Sequence, residues 1–289
     1  MTRPQATLIG FTAVLLWSLL ALFTVGTAPT PPLLLNTLCF SIGGVLGLIW
    51  CLATGTLGTL KTVPLRVYLF GIAGLFGYHA LYFSALRLAP AAEAGLIAYL
   101  WPLLIVVFSG LLPGEILRKG HVFGAVLGFA GAALIISNGS GSFQAQYLPG
   151  YLLAICCALT WSAYSLLSRR IGTAPTASVV VFCLGTAALS LPLHLLFEET
   201  VLPTTGLGWA SIVGLGLGPV GLAFYVWDIG VKRGDIQLLG TSSYLAPLLS
   251  TIILVVSGVT PAEPILFWAA ALITGGALCA ARASYVKSG

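Results

Sequence analysis

Aromatic side chains recur along this 289-residue sequence at spacings that bring them together. Tyr78 and Tyr82 stand i,i+4, and His79 and Tyr82 stand i,i+3, so on a helix they share or adjoin one face. Tyr99 and Trp101 lie beside Pro102. Trp17 and Trp161 fall midway along two other apolar stretches, Tyr164 is three residues past Trp161, and Tyr244 follows Ser243. In membranes Trp and Tyr usually mark the interfaces, but these residues sit away from the segment ends. Two readings stay open for each: packing between helices, or lining of a cavity. The chemistry offered is recognition. Aromatic walls stack against flat side chains, and deep phenol and indole groups need partners, which a wet cavity supplies. The candidate lining is Trp17, Tyr78, His79, Tyr82, Tyr99, Trp101, Trp161, Tyr164, Ser243 and Tyr244.

Prolines and charges add to this set. Pro102 and Pro247 lie inside apolar stretches at matching places, and each removes one backbone donor and frees a carbonyl a turn earlier. The carbonyls near Ala98 and Ser243 are expected to face a substrate ammonium, unless the prolines only kink for packing. Asp228 and Lys232 are spaced i,i+4, as an ion pair would be; the alternative is binding of a proton or of the ammonium. His79 is either a titrating group or a hydrogen-bonded core histidine. Asn36, Ser18, Ser162, Ser165, Thr241, Ser242 and Ser243 are uncharged candidates for holding a zwitterion, or else interhelical bonds.

Other chemistry has no foothold. Walker A, H-E-x-x-H and G-x-S-x-G patterns are missing, so neither ATP binding of that kind nor those hydrolases are expected. His79, His121 and His194 lack helical pairing and no C-x-x-C occurs among the six cysteines, so neither metal nor other cofactor is expected.

The elements that position these residues follow from composition. Hydrophobic residues make up 58% of the chain and charged ones 7%, against about 25% charged in soluble domains. With a mean hydropathy of +1.06 this excludes a soluble enzyme, a DNA-binding protein and a disordered chain. A membrane helix needs about 20 apolar residues. Ten such segments can be marked: 7–25, 33–53, 66–86, 93–111, 120–138, 149–168, 176–197, 206–228, 237–257 and 264–284. Turn-rich pieces separate them, among them Asn138-Gly139-Ser140-Gly141. With the N-terminus in the cytoplasm, eleven of the twelve basic residues (Lys287 included) fall on that side and only Arg87 on the other. Both termini are therefore expected to be cytoplasmic, and the net charge of +5 needs no nucleic-acid partner.

The two halves repeat at a shift of about 145 residues. Leu16-Trp17-Ser18 answers Thr160-Trp161-Ser162, Tyr99-Leu100-Trp101-Pro102 answers Tyr244-Leu245-Ala246-Pro247, and Arg87 aligns with Lys232. Glu115 and Glu263 each precede a Gly/Ala-rich helix. Five helices per half invert the second half in the membrane, an architecture of secondary transporters.

This two-times-five organisation resembles the EamA-type repeats of the drug/metabolite transporter superfamily over essentially the whole chain. The aromatic content is similar to that of exporters of aromatic amino acids within it. The resemblance implies a ten-helix exporter of small metabolites with no nucleotide hydrolysis. Small multidrug exporters of the superfamily rely on a buried Glu in the first helix; its absence here weighs against a cationic drug and puts simple proton antiport in doubt.

The expectation is an all-α membrane protein, with ten transmembrane helices as two inverted five-helix repeats around a central cavity. The repeats are placed at 1–138 and 149–289, with a linker at 139–148. The expected activity is export of aromatic and other apolar amino acids across a bacterial inner membrane by alternating access. The alternatives are another small metabolite (nucleoside, vitamin or drug), a channel-like facilitator, or an enzyme acting on lipid. The expected partners are that small-molecule substrate and membrane lipid, with no nucleic acid and no ATP.

Overall fold

A computed structural model describes residues 1–137, 144–259 and 261–285. The turn at 138–141, the first half of the expected linker (139–143) and Lys287 lie outside the described residues. Among the described residues ten helices are long and apolar enough to cross a membrane: α1 (Arg3–Gly26), α2 (Pro32–Ala53), α3 (Leu65–Leu88), α4 (Ala91–Ser109), α5 (Lys119–Ser137), α6 (Ala145–Arg170), α7 (Thr176–Phe197), α8 (Gly206–Arg233), α9 (Ile236–Val256) and α10 (Ile265–Ser284). Among the described residues there is no strand. All ten expected segments are present. α6 already starts at Ala145, within the stretch read as linker, and α8 runs to Arg233, so Asp228 sits inside a helix rather than at its end.

The packing repeats under exchange of the halves. α2 packs on α7, α4 on α9 and α5 on α10, each helix on its own counterpart, while α1 on α8 corresponds to α6 on α3. That set of pairs is what an in-plane pseudo-two-fold axis generates. Small residues make the close crossings possible. Gly124 and Gly276 oppose each other between α5 and α10, and Gly10 meets Gly230 between α1 and α8. A Cβ at any of the four would run into backbone. The stripe Gly71, Gly74 likewise accommodates Phe182 and Tyr164. Close packing of small residues substitutes for the hydrophobic drive that lipid removes.

Four helices are interrupted at mid-depth. α4 breaks between Ala98 and Trp101, and α9 between Ser242 and Leu245, each just before its proline. α8 carries a π-turn at Gly218–Leu222 around Pro219. α1, expected to be continuous, breaks between Trp17 and Leu20. There the Ser18 hydroxyl bonds the Leu15 carbonyl at 2.6 Å and competes with the backbone ladder.

Alternate crossing puts the starts of α1, α3, α5, α7 and α9 on one face, with Arg3, Lys61, Arg66, Arg118, Arg169 and Lys232. That is called the basic face below; Arg87 lies on the opposite one.

Candidate functional site

The interruptions surround a cluster of four tryptophans, one each from α1, α4, α6 and α8. Trp17 touches the other three, with ring centroids 6.0 Å from Trp101, 6.0 Å from Trp161 and 5.1 Å from Trp227. Trp101 stands perpendicular to Trp227 at 5.8 Å. Edge-to-face contacts of this kind add to the area they bury. Two of the four indole donors are met by protein groups, as the packing reading has it. Trp17 Nε1–H donates to the Pro219 carbonyl in the α8 π-turn at 3.1 Å, and Trp227 Nε1–H to Ser165 Oγ at 3.1 Å.

The tyrosines extend this cluster. Tyr78 and Tyr82 stack at 6.2 Å, as their spacing predicts, and Tyr78 reaches Trp161 at 5.4 Å. Tyr99 reaches Trp101 at 6.4 Å, and Tyr164 stacks on Trp161 at 5.1 Å. His79 turns toward α2 and α8, with Phe40 at 5.0 Å and Phe224 at 6.3 Å. Its Nδ1–H donates to the Leu75 carbonyl at 2.7 Å, so the ring is both aromatic wall and hydrogen-bonded core histidine.

Exposure is graded along this wall. Tyr82, Phe83, Tyr78, Tyr99 and Trp17 are half-buried, whereas Trp101, Trp161 and Trp227 are 5%, 3% and 0% exposed. α3 and α4 carry the half-buried tyrosines toward the opposite face, and α8 carries Trp227 toward the basic face. Exposure therefore falls from the opposite face toward the basic face, and this aromatic cluster is called the cup below.

Other expected site residues stand elsewhere. Tyr244 is fully buried against Phe129 and Gly128, and its hydroxyl accepts from the Leu103 amide at 3.0 Å. Ser243 is buried, its hydroxyl donates to Leu239 O at 2.8 Å, and its own carbonyl accepts from the Ala246 amide at 3.1 Å. Neither residue joins the cup, and the Ser243 carbonyl is engaged. Among the other hydroxyl and amide candidates, Asn36 donates to Ser190 at 2.7 Å, Ser162 to the Trp101 carbonyl at 3.0 Å and Thr241 to Gln237 O at 3.1 Å.

Asp228 and Lys232 form a buried ion pair at 2.8 Å, with side chains 1% and 6% exposed. Thr176 donates to Asp228 at 2.7 Å and Lys232 donates to the Ala174 carbonyl at 2.9 Å, so the pair fastens the α6–α7 connection to α8. A second network of charges lies on the basic face. Glu115, from the α4–α5 connection, pairs with Arg169 of α6 and with Arg3 of α1 at 3.1 Å; Arg3 reaches Asp235 at 3.4 Å. Arg169 also donates to the carbonyls of Val231 and Gly234 at 2.8 and 2.9 Å. On the opposite face Glu198, the residue just after α7, accepts from the first amides of α2 and from Arg87 at 3.2 Å.

Trp227, Phe224, Phe40 and Phe83 belong to the cup and were missed. Phe224 and Trp227 are i,i+3 on α8, the spacing of Trp161 and Tyr164 on α6, and that signal was present in the sequence. The arrangement gathers flat apolar faces from four helices beside the breaks of α1 and α4.

Three comparisons bear on this geometry. The model of the EamA-like transporter family matches residues 5–137 and 148–282. The chain is 55% identical over 282 residues to an Ancylobacter novellus protein named aromatic amino acid exporter YddG, covering 97% of this chain and 98% of that one. It is 25% identical over 291 residues to the Escherichia coli K12 protein of the same name, covering 96% and 97%. A protein crystal structure 53% identical to it superposes with a TM-score of 0.95 and covers 100% of both chains.

Proposed function

The chain belongs to the EamA-like transporter family, and from that premise we propose that it is a secondary transporter, not an enzyme, exporting aromatic and other apolar amino acids across a bacterial inner membrane by alternating access. The observation that carries the reading is the aromatic cup from Tyr82 to Trp227, held between the halves of a chain so similar to a named exporter of aromatic amino acids.

The rings supply a surface on which an indole or phenyl side chain stacks. The zwitterionic end is assigned to the helix breaks beside them. The segment Trp101–Ser109 begins at mid-depth and points its positive dipole end at a carboxylate, and Ala91–Ala98 ends there with carbonyls for an ammonium. His79 and the Tyr78, Tyr82 and Tyr99 hydroxyls complete the polar set. Asp228 and Lys232 are assigned a structural role in place of coupling. The repeats are placed at 1–138 and 149–289. The excess of basic residues on one face supports cytoplasmic termini. The cup then opens to the outside, and the Glu115 network closes the cytoplasmic side.

Counterflow in proteoliposomes tests this. Liposomes holding the purified protein and unlabelled tryptophan receive labelled tryptophan outside, with alanine, uridine and a quaternary ammonium as comparators. Saturable exchange that favours the aromatics is expected. Exchange of uridine or the ammonium alone, by folded protein, would move the substrate to another class; flux without trans-stimulation would make the protein a facilitator.

A further inference from the structure

Away from the cup, a cleft of about 590 Å³ opens on the basic face between the start of α3 and the α6–α7 connection. Arg66 and Arg170 line it together with Thr173, and Val67, Phe70 and Ile171 give it an apolar wall. Among the described residues no carboxylate lines it. Both arginines are exposed, and among the described residues neither forms an ion pair, whereas Arg3, Arg87 and Arg169 all do. The lip is the first turn of α3, which has no side-chain cap; its Val67 amide bonds the Pro64 carbonyl at 2.9 Å, and its positive dipole end adds potential for an anion. The far wall is fastened in place, because Ala174 and Thr176 are bonded to Lys232 and Asp228 of α8.

We propose that this cleft binds the phosphate of an anionic phospholipid. Two guanidinium forks suit the diester oxygens better than lysines would. The cleft lies where α3 begins and α6 ends, at the depth of head groups, and its apolar wall continues toward the acyl region. A free anion would have no use for that wall. The two sides of the cleft belong to different halves, so a bound lipid bridges them on the face that carries the Glu115 network.

The test is native mass spectrometry of the delipidated full-length protein in neutral detergent, titrated with phosphatidylglycerol, phosphatidylcholine or inorganic phosphate. One phosphatidylglycerol is expected to bind about tenfold tighter than phosphatidylcholine, and to resist displacement by millimolar phosphate. Arg66→Gln and Arg170→Gln should each weaken it about fivefold, and the double variant should bind both lipids alike. Lys61→Gln, an exposed cation outside the cleft, should leave binding unchanged. Thermal unfolding midpoints verify folding; should the double variant not fold, the single variants and Arg66→Lys, which keeps the charge and loses the fork, decide. Equal affinity for the two lipids, or wild-type binding by the arginine variants, overturns the proposal. Displacement by inorganic phosphate overturns the lipid and leaves a small-anion site.

Discussion

The Tyr244 hydroxyl accepts a hydrogen bond from the Leu103 amide at 3.0 Å and so ties α9 to α4 at the broken stretch of each. The sequence counterpart of Tyr244 is Tyr99, whose ring is half-buried and packs on Trp101. Equivalent tyrosines of the two repeats therefore do different work. One supports the break from behind, and the other lines the cup.

That division predicts a separation of effects. Leu103 lies in the first turn of Trp101–Ser109, where helix amides have no partner within the helix. Tyr244→Phe leaves that part-buried donor bare and should cost about 1 kcal/mol of stability. The unfolding midpoint in micelles should fall, with the apparent affinity for tryptophan in counterflow near wild type. Tyr99→Phe should do the reverse. A Tyr244→Phe protein of unchanged midpoint would contradict the supporting role.

Rim and floor of the cup should also respond differently. Tyr82 is half-buried, so Tyr82→Ala should weaken substrate binding about tenfold, the loss of roughly 1.4 kcal/mol of ring contact, with little effect on folding. Trp227 is fully buried among three other indoles, and Trp227→Ala should destabilise by about 3–5 kcal/mol. Unfolding midpoints and transport per folded molecule, measured side by side, test the pair. Equal destabilisation by both would make the rim ordinary core.

Much of this was legible. Ten apolar runs separated by turns give the spans because length and polarity alone decide them, and Pro102 and Pro247 mark two breaks because a missing donor is a local property. The α1 break was hidden: Ser18 acts through a hydroxyl that serves a helix or interrupts it according to its neighbours. The fate of Ser243 was equally hidden, since a hydroxyl bonded back to Leu239 and one facing a ligand are the same residue type. Trp227 falls at the end of the marked segment 206–228, whereas α8 continues to Arg233 and seats that ring among the other indoles. Tyr244 was misplaced because a repeat preserves chain direction and breaks, while the surroundings of each copy differ.

The Asp228–Lys232 pair gives a third prediction. Removing one partner of a buried pair strands the other charge, at a cost of about 3–5 kcal/mol. Asp228→Asn and Lys232→Met should each lower the unfolding midpoint markedly, and the double variant Asp228→Asn, Lys232→Met should recover part of the loss. Counterflow by whatever folds should keep its response to an imposed proton gradient. If Asp228→Asn abolished such a response at normal stability, the carboxylate would be a coupling group.

The Glu115 network yields the last. Its carboxylate is 3% exposed and is shared by Arg169 and Arg3, which are 16% and 36% exposed, so three stretches of chain converge on one charge. Glu115→Gln keeps the shape and removes the charge. Arg169 retains its bonds to Val231 and Gly234, so the protein should still fold, at a cost of about 3 kcal/mol. The larger effect should be on the closure of the basic face. Ser168, 4% exposed one residue before Arg169, is a reporter for it. With the native cysteines replaced and Ser168→Cys introduced, a membrane-impermeant thiol reagent added from the basic face should label the Glu115→Gln protein several-fold faster than its Glu115 parent. Arg3→Gln should raise the rate less, because its side chain is already partly solvated. Equal labelling of all three proteins would mean that packing of the tryptophan floor, and not this charge, holds the basic face shut.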